Sequence, residues 1–287
     1  MSPQPLVSIV VPVWQPRLDW LRPAVESALG QAEVEVEVLV VDDGCATPVR
    51  DLLGIADARL HVIRVAHGGV ARARNAGLAA ARGRYVRFLD ADDVLERGST
   101  ARLLRLCGED EQVVAYGATV MCDEELRPRR TVVSTLQGRI LREALLGRFE
   151  VWIISMLFPR AVVDATGPFD TSFDHAADGD FVLRALEHAD VRGEERVASF
   201  YRRHRGSATG DVAAGEAGLQ LMLDRYFERH ETERGTRLER QARAWVYLAA
   251  ARGYRAHGQR RRALDRALRA LRRDPGRVLP HLARGLR

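Results

Sequence analysis

Two carboxylate clusters stand out in this 287-residue chain, Asp42-Asp43-Gly44 and Asp90-Ala91-Asp92-Asp93, because each ends an apolar run. Carboxylates one residue apart, as at Asp90 and Asp92, can present oxygens to one hard cation. Mg²⁺ or Mn²⁺ prefers such ligands and commonly bridges a diphosphate. The same residues have plainer uses: Asp92 or Asp93 can cap a following helix, and Asp43-Gly44 can form a turn.

The elements that must position these residues can be read from periodicity. Residues 7–13 form a nearly unbroken β-branched apolar run, the pattern of a strand buried on both faces. Further strands are expected at 34–41, 61–65, 85–89 and 113–120, with another apolar stretch at 151–159. Helical spacing marks 18–29, 70–81, 139–146 and 178–188. Alternating strands and helices imply right-handed crossovers and a mostly parallel sheet. Ligands of such open sheets bind beyond the carboxyl ends of the strands, and both acidic clusters follow such ends.

Composition narrows the class. With 46% hydrophobic residues the chain has ample core. Its 44 basic residues are all arginine, against 39 carboxylates, and a formal +5 is a weak field for this length. No aromatic-interleaved basic stripe appears, so nucleic acid is not an expected partner. Cys45, Cys107 and Cys122 form no zinc or disulfide pattern, which suggests a reducing, cytoplasmic setting. The first residues lack a signal-peptide pattern, and no run reaches the roughly 18 apolar residues of a membrane span. Residues 12–17 hold no Gly-x-Gly-x-x-Gly, which argues against a dinucleotide-binding enzyme. With no lysine and no Gly-rich first loop, a sugar nucleotidyltransferase is also disfavoured.

VSIVVPVW (7–14), VVDDG (40–44), ARARNAGLAAARGRYVRFLDADD (71–93), GPFD (167–170) and ADGDFVLRAL (177–186) occur in that order. Together they resemble the inverting glycosyltransferases of family 2, which have the GT-A fold. The resemblance covers roughly residues 5–207. It implies an α/β domain over 1–210, with a nucleotide-binding half (1–112) and an acceptor half (113–210), followed by a helical region over 211–287.

The resemblance implies a donor that is a nucleoside diphosphate sugar, UDP-linked by family habit, and an acceptor hydroxyl on a saccharide, lipid-linked saccharide or small natural product. It places Pro12 and Trp14 against the base and ribose, and has Asp42 and Asp43 follow the second strand, with Asp43 accepting from the uracil imide N–H. Arg74 and Asn75 line the nucleotide, with Arg74 pairing with Asp43 or phosphate. Asp90 faces the ribose, and Asp92 ligates Mn²⁺ or Mg²⁺. Within YRRHRGSAT (201–209), His204 is the candidate second metal ligand or phosphate contact. Asp178 aligns with the general base and Arg184 with the helical arginine, while Asp180 is a fallback base and Trp152 an acceptor contact. Ala177 and Gly179 depart from the usual glutamate and aromatic. That departure supports an alternative, a catalytically impaired relative acting as a binding or interaction module.

Residues 244–277 resemble one tetratricopeptide repeat, with Leu264, Leu268 and Leu271 expected to face inward and Arg262, Arg266, Arg269 and Arg273 outward. One repeat cannot bury its own face. Packing on the enzyme domain, a homodimer through these helices, and peripheral contact with the inner membrane face all follow as expectations. A Gly/Ala/Ser-rich stretch at 206–218 marks the expected boundary.

Overall fold

The computed structural model describes residues 6–204, 210–276 and 278. β1 (Val7–Val13) is buried along its whole length. α1 (Leu18–Leu29) buries Leu21, Ala24, Val25, Ala28 and Leu29 and stops at Gly30. Then come β2 (Val36–Asp43), α2 (Val49–Leu53), β3 (Leu60–Val65), α3 (Val70–Ala80) and β4 (Tyr85–Phe88). β2 runs two residues further than its hydrophobic pattern suggested, so Asp42 and Asp43 terminate the strand itself.

The order β3-β2-β1-β4 is parallel throughout, which fits the expected crossovers. α3 packs against β1 and β2 through Gly77, where an added Cβ would lie 2.3 Å from Val10 Cγ1. Only glycine permits that approach, and it brings Arg74 on the same helix down to the sheet.

The far half comprises β5 (Val94–Leu95), α4 (Ser99–Cys107), β6 (Val113–Cys122), β7 (Pro128–Val132), α5 (Leu141–Leu145), β8 (Met156–Pro159), α6 (Arg160–Thr166), α7 (Ala177–His188) and β9 (Asp190–Arg202). Here the mostly parallel expectation is too simple. β6 and β9 are parallel, but β8 joins β4 and β6 antiparallel, as do β5 with β9 and β7 with β6. The sheet as a whole is mixed. The short apolar stretch at 151–159 divides into a 3-10 turn, Ile153–Ser155, and β8.

Arg87 lies wholly buried in this sheet. Desolvation, with Arg102 nearby, pulls its pKa down to about 9, so it remains cationic at neutral pH. It donates to Ser99 Oγ and Thr100 Oγ1 at 2.8 Å, to Ala198 O at 2.9 Å, and more weakly to Ile154 O. A buried charge without a carboxylate is tolerated only with such full hydrogen bonding.

The chain forms two compact units. The first takes residues 1–140, 150–171 and 181–204; the second takes 141–149, 172–180 and 205–287. The division read from composition followed chain order, whereas the second unit also includes two upstream segments. Its helices are α8 (Val212–Arg229), α9 (Arg237–Ala256) and α10 (Arg260–Arg273). Much of the stretch expected to be a linker is helical, because Asp211 caps α8 by accepting from Ala213 and Ala214 N–H at 3.0 Å. Residues 205–209, including Arg205, lie outside the described residues.

α9 and α10 form the expected helix pair, but α10 is turned differently from the expectation. Leu264 and Leu268 are exposed, and Ala263, Arg266, Ala267, Ala270 and Leu271 take the inner side. Small alanines let two helices approach closely. Arg266 fixes the rotation by pairing with Glu216 of α8 at 2.9 Å and lying over the Tyr254 ring of α9.

Candidate active site

Asp42 and Asp43 close β2, and both are buried. Asp42 accepts from the Cys45 and Val49 amides at 2.8 and 3.0 Å and from Arg64 at 3.0 Å. Burial pushes its pKa up, but those donors outweigh it and hold the carboxyl below the ordinary range. Asp42 therefore shapes its own loop, with both carboxylate oxygens engaged by protein donors.

Asp43 is also fully engaged, at 2% exposure. Its Oδ1 accepts from Gly68 N–H and its Oδ2 from Gly69 N–H, each at 2.9 Å, at the start of α3. His67 Nδ1 lies 2.9 Å from the same Oδ2. The His67 ring in turn stacks on Trp14, with centroids 4.9 Å apart and planes 19° apart. Trp14 is 58% exposed, not core, and follows the buried Pro12 at the end of β1. Neighbouring Gln15 adopts left-handed backbone, φ 45°, at a cost of order 1–3 kcal/mol. The outward-facing surface at these three strand ends is thus an aromatic pair with a carboxylate behind it. His67 was not singled out from sequence; its place just after β3, at the same sheet edge, was the available signal.

After β4, Asp90 pairs with Arg74 at 2.7 Å. Arg74 was expected to meet Asp43 or phosphate, but α3 presents it to the neighbouring strand end, where it also lies over the Phe169 ring. Asn75 is likewise committed: its amide donates to Phe169 O at 2.9 Å and accepts from Phe169 N–H at 2.8 Å. Asn75 thereby anchors the GPFD segment to α3. Phe169 stacks on Phe181 with centroids 4.2 Å apart, which ties two of the sequence motifs into one aromatic core.

Asp92 and His204 do converge, with His204 Nε2 2.8 Å from Asp92 Oδ2. Burial, with Asp90 beside it, raises the Asp92 pKa despite that contact. Behind them Asp93 is wholly buried; burial and its two acidic neighbours push it well up. Its Oδ1 accepts from Arg202 N–H at 2.7 Å, and Oδ2 has no partner. Arg202 also donates from Nε to Asp92 O at 2.7 Å and lies over the Trp20 ring. Trp20 meets the His204 ring as well, centroids 4.6 Å apart. Trp20, which the sequence did not single out, and Arg202 of the YRRHRGSAT segment therefore hold both donors.

Asp92 and His204 are the side chains here that could hold a divalent cation. Among the described residues no group of three or more His, Cys, Asp or Glu is arranged as a ready metal site. Asp92 and His204 nevertheless supply one oxygen and one nitrogen beside a carboxylate crowded by its own kind, which a cation would relieve. Mg²⁺ habitually binds through one or two carboxylates, with water and phosphate completing its shell.

The chain matches a known family model. Glycosyl transferase family 2 matches residues 8–160, more than half of the chain.

The chain belongs to that family.

Among curated family relatives, the uncharacterised glycosyltransferase EpsJ of Bacillus subtilis is 31% identical over 223 residues, covering 71% of this chain and 63% of EpsJ. The succinoglycan biosynthesis protein ExoO of Rhizobium meliloti is 38% identical over 149 residues, 50% of this chain and 39% of ExoO. The chain thus spans under two thirds of the length of these relatives. The fold matches TarS 1–349 of S. aureus, crystallised with UDP-GlcNAc, with a TM-score of 0.62 at 16% identity over 94% of this chain and 92% of that one. This family's GT-A-like architecture is therefore the one found here.

The remaining positions carried over from the family are Trp152, Arg184, Asp178 and Asp180. Trp152 meets Tyr201 with ring centroids 5.8 Å apart. Arg184 donates to Thr166 O at 2.6 Å and Pro168 O at 3.0 Å. Asp178 is half-buried in the first turn of α7, and its Oδ1 accepts from Gly179 N–H at 2.9 Å. Asp180 is buried at 2% exposure. Within the same unit α8 backs this turn: a Cβ on Gly218 would lie 2.5 Å from His175 O, and one on Gly179 would lie 3.5 Å from Met222 Sδ.

No helix among the described residues is long and apolar enough to cross a membrane.

Proposed function

We propose that this chain transfers a sugar from a nucleoside diphosphate sugar, UDP-linked, to an acceptor hydroxyl with inversion of configuration. The observation that carries this reading is the gathering of Trp14–His67, Asp90–Arg74 and Asp92–His204 at the carboxyl ends of β1 to β4.

In this reading the base stacks on the Trp14–His67 pair, with Asp43 acting through His67, because its own oxygens are occupied. Asp90, held by Arg74, receives the ribose hydroxyls. Asp92 and His204 would hold Mg²⁺ or Mn²⁺, which when bound neutralises charge on the departing diphosphate. Asp178 removes the acceptor proton as the acceptor oxygen bonds to the anomeric carbon. The bond from that carbon to the diphosphate oxygen breaks in the same step, its electron pair leaving with the nucleoside diphosphate. TarS supports the donor class by analogy of fold, since it was crystallised with UDP-GlcNAc.

Thermal stabilisation by UDP, GDP and TDP sugars, with and without Mn²⁺, tests the donor side. A Mn²⁺-dependent shift with UDP sugars is expected, and no shift with any of them overturns the reading. For the base, Asp178→Asn should retain the shift and lose transfer; undiminished transfer would remove Asp178 from its role.

A further inference from the structure

Leu264 is the most exposed large hydrophobic residue described, at 62%, and Leu268, one turn later, is 45% exposed. They lie on α10, whose fourteen residues include seven arginines and a single carboxylate, Asp265. At about 100° per residue, Leu264 and Leu268 span an arc of about 40°, while Leu271 packs inward with Leu248, Ala270 and Val278. Arg260, Arg261 and Arg272, all exposed, border that arc. Much of the rest of the helix is already engaged. Ala270 is buried, Arg266 is paired with Glu216, and Asp265 is held by Arg266 and Arg269. The leucine stripe thus belongs to the free face of a helix anchored on its other side.

Charge is distributed to match. Residues 237–287 carry 15 arginines against 3 carboxylates, a formal +12, while residues 1–236 carry 29 against 36, a formal −7. The small positive total conceals an acidic chain with a strongly basic end.

We infer that the Leu264–Leu268 face of α10 docks on an anionic lipid bilayer surface, with the leucines in the headgroup–acyl boundary and Arg260, Arg261 and Arg272 on the lipid phosphates. A narrow leucine stripe flanked by arginines is the pattern of an interfacial helix. Two exposed leucines are too little apolar area for a stable protein interface, which buries roughly 800 Å² per partner. A second copy of this face would set like charges against each other, whereas phosphate headgroups complement them. This inference is independent of the proposed sugar transfer.

Flotation of the full chain with phosphatidylcholine vesicles, and with the same vesicles containing phosphatidylglycerol, tests it. Binding is expected only to the anionic vesicles and should weaken steeply as salt is raised. Leu264→Ser with Leu268→Ser should lower partitioning about tenfold or more, and Arg260→Gln with Arg261→Gln and Arg272→Gln should abolish it. All five positions are exposed; should the leucine variant fail to fold by circular dichroism, the arginine variant decides. Absence of binding to anionic vesicles, equal binding to neutral ones, or undiminished binding by the folded variants would overturn the inference. A dimer by light scattering that the leucine variant converts to monomer would overturn it as well, by assigning the face to a second copy.

Discussion

His67 Nδ1 lies 2.9 Å from Asp43 Oδ2, and that carboxylate is completed by two backbone amides at the start of α3. The pair joins the end of β2 to the loop after β3, and stacking extends it to Trp14 at the end of β1. A buried acid therefore governs how an exposed indole is held.

His67→Ala should loosen Trp14 and weaken UDP binding about tenfold, a loss on the order of 1.4 kcal/mol, as measured by calorimetric titration. His67→Phe keeps a ring for stacking but loses the Asp43 contact, so it should fall between the two. Equal affinity in all three proteins would show that the base does not use this pair.

The Asp92–His204 contact predicts a metal effect. His204→Ala should raise the Mn²⁺ concentration needed for half-maximal stabilisation by UDP at least tenfold, and Asp92→Asn should abolish the Mn²⁺ dependence. Titrating Mn²⁺ in a thermal-shift assay at saturating UDP reads both.

Arg87→Met leaves the Ser99 and Thr100 hydroxyls and the Ile154 and Ala198 carbonyls without their shared donor. Losing several buried hydrogen bonds to a charged group should cost about 3–5 kcal/mol. A urea midpoint lowered accordingly, with an unchanged slope, is the expected result.

Gly218→Val would drive a side chain into the backbone at His175, two residues before the Asp178 helix begins. Ala176 there already adopts φ 66° and has little freedom to yield. The turnover number should fall about a hundredfold, since misplacement by an ångström costs that much, while UDP affinity stays level. Parallel kinetics and UDP titration separate these outcomes.

Acid should unfold this protein partly through Asp42 and Glu37. Burial pushes each pKa up. The Val49 and Cys45 amides with Arg64 hold Asp42 below its ordinary value, and Ser8 with Arg82 does the same for Glu37. Folded pKa values below the unfolded ones mean that the stability is present above the unfolded range, near pH 4, and is lost as pH falls through the folded values. Asp42→Asn should flatten the decline of melting temperature below about pH 4. A slope matching wild type would rule Asp42 out as a contributor.

What could be read from the chain alone was local. An unbroken β-branched run and helical apolar spacing placed β1 and α1 at their observed limits, because burial on both faces and on one helix face is written in adjacent residues. Strand ends followed by carboxylates marked the site, because open sheets bind ligands there.

The partners of those residues were decided only by packing. Arg74 meets Asp90 because Gly77 lets α3 settle on β1 and β2; Asn75 serves Phe169 from 94 positions away; Asp93 meets Arg202 across 109. Periodicity showed that α10 is amphipathic, but Arg266 reaching Glu216 determined that the alanines turn inward and Leu264 and Leu268 outward. A sequence pattern defines faces and ends. Which face is covered, and which charge finds which, depends on the distances that the folded core imposes.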